Sequence, residues 1–359
     1  MALRPICGLA AGWLLAGCAT QANPYYDPAK PHHTPQGFRN NYVGQVDKPF
    51  SDLVKWRIEA MRAGLPAAAR EPTPVAAPET ARLKDNRAAP SVTWIGHATT
   101  LVQCGGLNVL TDPVFSDRAS PVAFAGPKRA QPPGIALADL PAIDVIVVSH
   151  NHYDHLDVDS VRALSERSQG KTLVLVPLGL KALLEQRGVR NVTEIDWWEH
   201  RTVGGVEFHL VPVQHWSART LGDRNETLWG GWAVFAPNLH WYFSGDTGYT
   251  RDFADTRARF ATRAKNGAVF DVALLAIGAY EPRWFMSAQH MNPAEAVQAH
   301  KDLAARQSIG IHWGTFQLTD EALDTPPRDL AAARAALDVA ADDFFVLKIG
   351  QTRWFTITP

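Results

Sequence analysis

At 359 residues the chain is long enough to bury a large core, in one large domain or two smaller ones. Its 35 Lys and Arg against 36 Asp and Glu leave a net charge of -1, without the basic excess of a nucleic-acid binder, so nucleic acid is not an expected partner. The 12 tryptophans are many, and those beside histidines in Gln214-His-Trp216 and Ile311-His-Trp-Gly314 fit either aromatic pocket walls or ordinary core packing.

The first 18 residues read as an export signal: Arg4 supplies positive charge, Ile6 to Ala16 is apolar, and small residues follow. This run is too short to span a bilayer. Leu15-Ala-Gly-Cys18 resembles the lipobox of bacterial lipoproteins, whose Cys becomes the lipidated first residue of the mature chain; the alternative is a plain secretory signal with an incidental Cys. The lipoprotein reading places the protein in a bacterial cell envelope, lipid-anchored. Ala19 after Cys18 resembles lipoproteins sorted to the outer membrane, facing the periplasm. Cys7 would leave with the signal and Cys18 would carry lipid, leaving Cys104 without a disulfide partner.

Residues 19–80 divide into an arm, a short helix and a linker, with one large domain expected over 81–359. From Ala19 to about Phe50 the composition is rich in Pro, Asn, His and Tyr without a period, which predicts a tether or surface arm with His32 and His33 exposed. Ser51 to Gly64 predicts an amphipathic helix capped by Ser51 and stopped by Gly64, with Leu53, Trp56, Ala60 and Met61 as its apolar positions. Two roles stay open for it: core packing, or membrane contact with Lys55, Arg57 and Arg62 at the headgroups. Pro66 to Thr80 is Ala- and Pro-rich and reads as linker.

Regular structure is predicted at Ser91 to Ile95, then in a hairpin of Thr100–Cys104 and Leu107–Thr111 around Gly105-Gly106. A strand over Ile143 to Ser149 follows, and strand and helix patterns then alternate. Strands fall near Thr172–Val176, Val192–Ile195, Val206–Val211, Trp232–Phe235, Trp241–Ser244, Val272–Ala276, Ser308–Ile311 and Phe344–Leu347. Helices fall near Leu178–Arg187, Pro293–Ala305 and Pro327–Ala340. Two sheets with helices outside them account for this α/β order. No internal repeat and no transmembrane span is evident.

The chemistry concentrates in His150-Asn-His-Tyr-Asp-His155, directly after the Ile143 to Ser149 run. Three imidazoles and a carboxylate within six residues are costly to crowd together unless a cation holds them, because these are the usual ligands of zinc and its neighbours. His215, Asp246 and His312 each follow an apolar run, where a sheet would present them at one rim. Each alone is more often a structural residue than a ligand. The cluster needs distant partners, and that shifts the balance.

This order of motifs resembles the metallo-β-lactamase superfamily, whose fold is an αβ/βα four-layer sandwich of two mixed β-sheets with a two-metal site at one edge. Within it, several stretches are similar to N-acylphosphatidylethanolamine-hydrolysing phospholipases D: Gly96-His-Ala-Thr99, Leu110-Thr-Asp-Pro113, Gly126-Pro-Lys-Arg129, Ser149 to Asp157, Gln214-His-Trp216 and Gly245-Asp-Thr-Gly-Tyr249. Ile277-Gly-Ala-Tyr-Glu-Pro-Arg-Trp-Phe-Met286 and Ile311-His-Trp-Gly-Thr-Phe316 are the most specific. The resemblance covers roughly residues 91–349.

It implies that His150, His152 and His215 hold one metal, that Asp154, His155 and His312 hold the other, and that Asp246 bridges them. Two zinc ions are favoured by many imidazoles and no thiolate, and iron or manganese suits the same ligands. A water shared by two cations has its pKa lowered towards about 7. The resulting bridging hydroxide would attack the phosphodiester of N-acylphosphatidylethanolamine or a related phospholipid, giving N-acylethanolamine and phosphatidic acid. Tyr153 and His290 match substrate-contacting positions; His290 could bond a phosphate or amide, or protonate the leaving group. Asp112 would orient a ligand imidazole or simply shape a turn. Arg219, Arg224 and Arg283 are headgroup candidates, and His97 is either an orienting or a packed residue. A lipid anchor would bring the enzyme to its phospholipid, and a homodimer is compatible with the sequence. The alternatives are a related hydrolase of a lactone or smaller phosphodiester, and a non-catalytic envelope lipoprotein, which should have lost ligands.

Overall fold

A computed structural model of the chain describes residues 22–356. The signal segment and Cys18 lie outside these residues. Among the described residues no helix is long and apolar enough to cross a membrane.

The arm is fastened to the body rather than trailing from it. It forms a short antiparallel pair, β1 (His33–Thr34) with β2 (Gly37–Phe38), and Phe38 is fully buried. His32 and His33, expected to be exposed, are buried because both rings meet Asp196: His32 Nε2 lies 2.7 Å from Oδ1 and His33 Nε2 3.0 Å from Oδ2. Lys30 Nζ donates to the same carboxylate at 2.6 Å. Burial works against the Asp196 carboxylate, but hydrogen bonds from His32 and Lys30 outweigh it and hold the group well below the ordinary carboxylate range. Composition alone hid this contact, since Asp196 is 164 positions from His32.

Helix α1 (Phe50–Ala63) ends at Gly64, whose φ of 66° is left-handed and costs a glycine little. Its start differs from expectation: Pro49 stands at the N-cap, no side chain caps it, and Ser51 lies inside the helix. Trp56 and Ala60 pack against Phe285 and Met286. Leu53 and Met61, read as packing positions, face outward at 39% and 73% exposure. The linker also touches the body, through Thr73 Oγ1 donating to Gly314 O at 2.7 Å and a bridge between Val75 and Ile349; α2 (Thr80–Asp85) follows.

The body is two seven-stranded sheets. The first contains β3 (Ser91–Gly96), β4 (Thr99–Cys104), β5 (Leu107–Thr111), β6 (Val145–Val147), β7 (Leu173–Pro177) and β8 (Val192–Ile195), with β16 (Thr352–Trp354) beside β3. The Gly105-Gly106 turn, both residues at positive φ, sets Cys104 opposite Leu107, and β5 to β8 then run parallel. The second sheet contains β9 (His200–Val203), β10 (Val206–Val211), β11 (Gly231–Ala236), β12 (Leu239–Phe243), β13 (Phe270–Ala276), β14 (Ala305–Ile311) and β15 (Phe344–Val346). It is antiparallel from β9 to β12 and parallel from β12 to β15.

Side chains alternate across the first sheet with the period of two that strands impose. Val145 and Val147 join the core between the sheets, with Trp94, Phe208, Trp232 and Trp241, whereas Ile146 and Val148 turn to the outer layer. That layer is α3 (Val158–Arg167) and α4 (Lys181–Gln186), through Val161, Leu164 and Leu184. Helices α5 (Asp252–Arg259), α7 (Pro293–Asp302) and α8 (Thr325–Ala336) bring Phe253, Ala296, Val297, Leu330 and Ala333 to the second sheet. The result is the expected αβ/βα sandwich. Short β9 and β16 and the polar α3 and α5 had no strong apolar period to announce them.

Replacing Asp196 by Ala leaves two buried imidazoles without their partner and should lower stability by about 3 kcal/mol, read from the denaturant midpoint. A carboxyl whose folded pKa is depressed stabilises above its unfolded value of about 4 and loses that contribution as pH falls through the folded value. The gap between parent and variant should therefore narrow below about pH 4. A gap unchanged on acidification would show that the carboxylate does not hold the arm.

Candidate metal centre

Strand ends deliver every group. After β6 the chain makes a tight turn, His155 N and Leu156 N both donating to His152 O, and Asp157 then caps α3 by accepting from Ser160 N. The turn brings His150, His152, Asp154 and His155 to one side. His215 follows β10, Asp246 follows β12 and His312 follows β14, so the second sheet closes the site from across the core. His97, Asp112 and His312 hold positive φ of 52°, 32° and 62°, which costs a non-glycine residue of order 1 kcal/mol each. The ends of β3 and β14 brace each other, His312 N donating to His97 O at 3.0 Å. Gly278 lets a neighbouring loop pass: a Cβ there would sit 2.1 Å from His312 O.

All seven expected ligands converge in two adjoining groups. His152 Nδ1 lies 2.8 Å from His150 Nε2 and 3.3 Å from His215 Nε2. His312 Nε2 lies 3.1 Å from His155 Nε2 and 3.3 Å from Asp154 Oδ2. Asp246 stands between the groups, Oδ2 3.0 Å from His155 Nε2 and 3.9 Å from both His150 Nε2 and His215 Nε2, and Oδ1 3.2 Å from His312 Nε2. His152, Tyr153, Asp154 and His290 are the partly exposed members and form the open side.

The far nitrogens of the rings decide whether this set suits cations. His215 Nδ1 faces Gln289 O at 3.0 Å and His155 Nδ1 faces Asp112 Oδ2 at 2.6 Å; both partners only accept, so both Nδ1 atoms carry hydrogen. Ser149 Oγ donates to Asp112 Oδ2 at 2.6 Å and so accepts from His150 Nδ1 at 2.9 Å. In the neutral rings, the Nε2 atoms of His150, His155 and His215 then aim lone pairs at the centre, as metal ligation needs. Asp246 Oδ1 is buried without a hydrogen-bond partner. The residues fit a pair of bound cations.

Charge reinforces this. Burial pushes His152 down to about 4 and His215 to about 3, and His150 well below the ordinary value, so these rings are neutral at neutral pH. Burial opposes ionisation of Asp154 and Asp246, but His155 and its neighbours outweigh it and hold both well below the carboxylate range. Burial likewise opposes charge on His155 and His312, yet the carboxylates win, raising His155 well above its usual value and His312 to about 9. Protons thus sit where cations would otherwise answer the two carboxylates.

Several residues position the ligands. Fully buried Asp112 serves both groups, holding His155 directly and His150 through Ser149, whose backbone N also donates to Asp112 Oδ1 at 2.7 Å. His97 Nε2 lies 3.0 Å from Asp154 Oδ2, so it orients that carboxylate. From the arm, buried Asn40 clasps the backbone of His215, donating to its O and accepting from its N, each at 2.9 Å. Ser149, Asn40 and Gln289 escaped sequence reasoning. Only Ser149, adjacent to the His loop, carried a local signal.

The three arginines are engaged elsewhere. Arg219 donates to Asn151 O and Leu156 O, bracing the His loop, and lies 3.9 Å over the Tyr153 ring, whose hydroxyl donates to Arg219 O. Arg224 lies over Trp216 and donates to Val46 O. Arg283 pairs with Glu295 and donates to His290 O. His290 itself has a buried Nδ1 without a partner, 3.9 Å from Asp246 Oδ2.

A family model described as a Beta-lactamase superfamily domain matches residues 107–313. The chain is 45% identical over 246 residues to N-acyl-phosphatidylethanolamine-hydrolyzing phospholipase D 1 of Caenorhabditis elegans, covering 66% of this chain and 67% of that one. It is 37% identical over 269 residues to the mitochondrial N-acyl-phosphatidylethanolamine-hydrolyzing phospholipase D of Saccharomyces cerevisiae, covering 73% of this chain and 55% of that protein. In fold it is similar to Igni18, a metallo hydrolase from Ignicoccus hospitalis, with a TM-score of 0.54 at 19% identity, over 76% of this chain and 100% of that one.

Because His155 and His312 are protonated at neutral pH when no cation is bound, metal loading must expel protons. Calorimetric titration in buffers of differing ionisation enthalpy should count about two protons released per fully loaded chain near neutral pH. A count of zero would mean that these two rings are already neutral before metal binds.

Proposed function

The chain belongs to the metallo-β-lactamase superfamily, and on that footing we propose that it is a two-zinc phosphodiesterase of phospholipase D type, acting on N-acylphosphatidylethanolamine or a related phospholipid. It is a metal-dependent hydrolase. The observation that supports the finer reading is the 45% identity over 246 residues to N-acyl-phosphatidylethanolamine-hydrolyzing phospholipase D 1 of Caenorhabditis elegans.

His150, His152 and His215 would hold one cation, Asp154, His155 and His312 the other, with Asp246 serving both. Imidazole and carboxylate without thiolate favour zinc. When bound, the pair supplies Lewis acidity at a phosphoryl oxygen and an activated water. The protein's own part is positional. Asp112 fixes rings of both groups, so the two halves of the site are aligned by one carboxylate. Burial pushes His290 down to about 3, so it meets the substrate as a neutral ring that hydrogen-bonds phosphate, amide or leaving oxygen rather than as an imidazolium acid. Tyr153, held under Arg219, forms a wall of the open side rather than offering its hydroxyl.

Residues 1–18 would serve as a lipoprotein signal, with lipid on Cys18 holding the protein at the outer membrane, where its substrate is concentrated. The lipobox-like Leu15-Ala-Gly-Cys18 supports this. In a bacterial host, labelled palmitate should enter the chain and be lost in Cys18→Ser; equal labelling of both would remove the anchor.

For the reaction, hydrolysis in ¹⁸O-water should place the label in phosphatidic acid and none in the N-acylethanolamine, because water attacks phosphorus. Asp246→Asn should lose metal and turnover together. His290→Ala should keep its metal and lose about 100-fold in kcat/KM. Metal-replete protein that never turns over N-acylated phospholipids would sink the reading.

A further inference from the structure

A soluble amphipathic helix normally turns its apolar stripe inward, and α1 does so only with Trp56 and Ala60. A second stripe faces solvent. Phe50 and Met61 are 77% and 73% exposed, with Val54 and Ile58 at 39% and 38%. At about 100° per residue these four fall within an arc of about 80°. Lys55 and Arg62 border one side of the arc and Arg57 the other. Between positions 48 and 62 the cations Lys48, Lys55, Arg57 and Arg62 face only two acids, Asp52 and Glu59. The stripe continues onto α6 (Arg283–Met286): Lys55 Nζ sits 4.6 Å over the ring of Trp284, itself 43% exposed.

The segments carrying exposed apolar tips also reach the metal centre. His290 follows α6 and its backbone N donates to Met286 O. Phe124, 83% exposed, is next but one to Val122, which lines a cavity of about 450 Å³ with Tyr153 and Arg219. Leu221, fully exposed, is two residues past Arg219. Exposed apolar side chains rimmed by cations mark an interfacial surface.

We propose that α1, with Trp284, docks the protein onto an anionic phospholipid bilayer, Phe50, Val54, Ile58 and Met61 entering the acyl boundary while Lys55, Arg57 and Arg62 meet phosphates. This rests on the phospholipid reading of the metal centre and extends it to how the substrate is met. A second copy of the chain is the rival occupant. A two-fold contact through this face would set the same excess of cations against itself, whereas anionic headgroups complement it.

The test uses the full chain with Cys7→Ser and Cys18→Ser, so that no lipid can attach and the remaining native thiol, Cys104, is buried. An environment-sensitive fluorophore is placed at Met61→Cys or, on the polar face, at Glu59→Cys. With phosphatidylcholine vesicles containing phosphatidylglycerol, the label at 61 should brighten and be quenched by brominated acyl chains, and the label at 59 should not. Adding Phe50→Asp should weaken vesicle affinity about 10-fold or more while leaving hydrolysis of a monomeric short-chain phosphodiester unchanged. Equal responses at 61 and 59, no response at either, or a change at 61 driven by protein concentration without vesicles would each overturn the proposal. The label reports docking whether or not lipid is cleaved, so a docked but inactive protein would refute the substrate and leave the surface standing.

Discussion

Two neighbouring carboxylates, buried Asp246 and the partly exposed Asp154, govern this molecule. Both stay ionised among rings that burial would otherwise keep neutral, and paired negative charge so poorly solvated demands an answering cation. The rest of the centre follows from that demand: imidazoles from both sheets turn their inner nitrogens towards the space beside the carboxylates where cations would sit, and Asp112 and Gln289 hold the outer nitrogens of His155 and His215 so that they can. The strained backbone at His97, Asp112 and His312 is tolerated because packing on both sides fixes it. A fold of two facing sheets suits this, since neither sheet alone brings the groups together.

Much of this was legible beforehand, for a physical reason. Strands buried on both faces read as unbroken apolar runs, and Val145 to Val148 or Val272 to Ala276 announce themselves without any partner. Ligands at the ends of such runs are then placed by topology, which is why His215, Asp246 and His312 could be paired with a loop far away in sequence. What could not be read were contacts whose meaning lies in the partner. Asn40 looks like any loop asparagine until His215 is beside it, and Arg219 looks like a headgroup ligand until Asn151 and Leu156 claim its donors. Helix α3 was missed because its core-facing side is only a few residues among charged ones.

The arm shows how composition misleads. Pro, Asn and His without a period usually mean solvated chain. Here the same residues are the contacts, because short polar side chains can satisfy buried backbone and carboxylate groups where apolar ones cannot. Asn23 donates to Thr34 O and Gly37 O, His32 and His33 meet Asp196, and Asn40 meets His215, so the arm is pinned at intervals along its length.

The first of those pins sets a reach. Asn23 is buried and fixed to its own turn, and it lies five positions after Cys18. Fully extended, five residues span about 17 Å. With lipid on Cys18 as proposed, Asn23 stays within about 17 Å of the lipid-bearing residue, and the body is held beside the bilayer. On such a leash a weak contact between protein and bilayer is met at high effective concentration, so that even a surface of modest affinity would stay engaged.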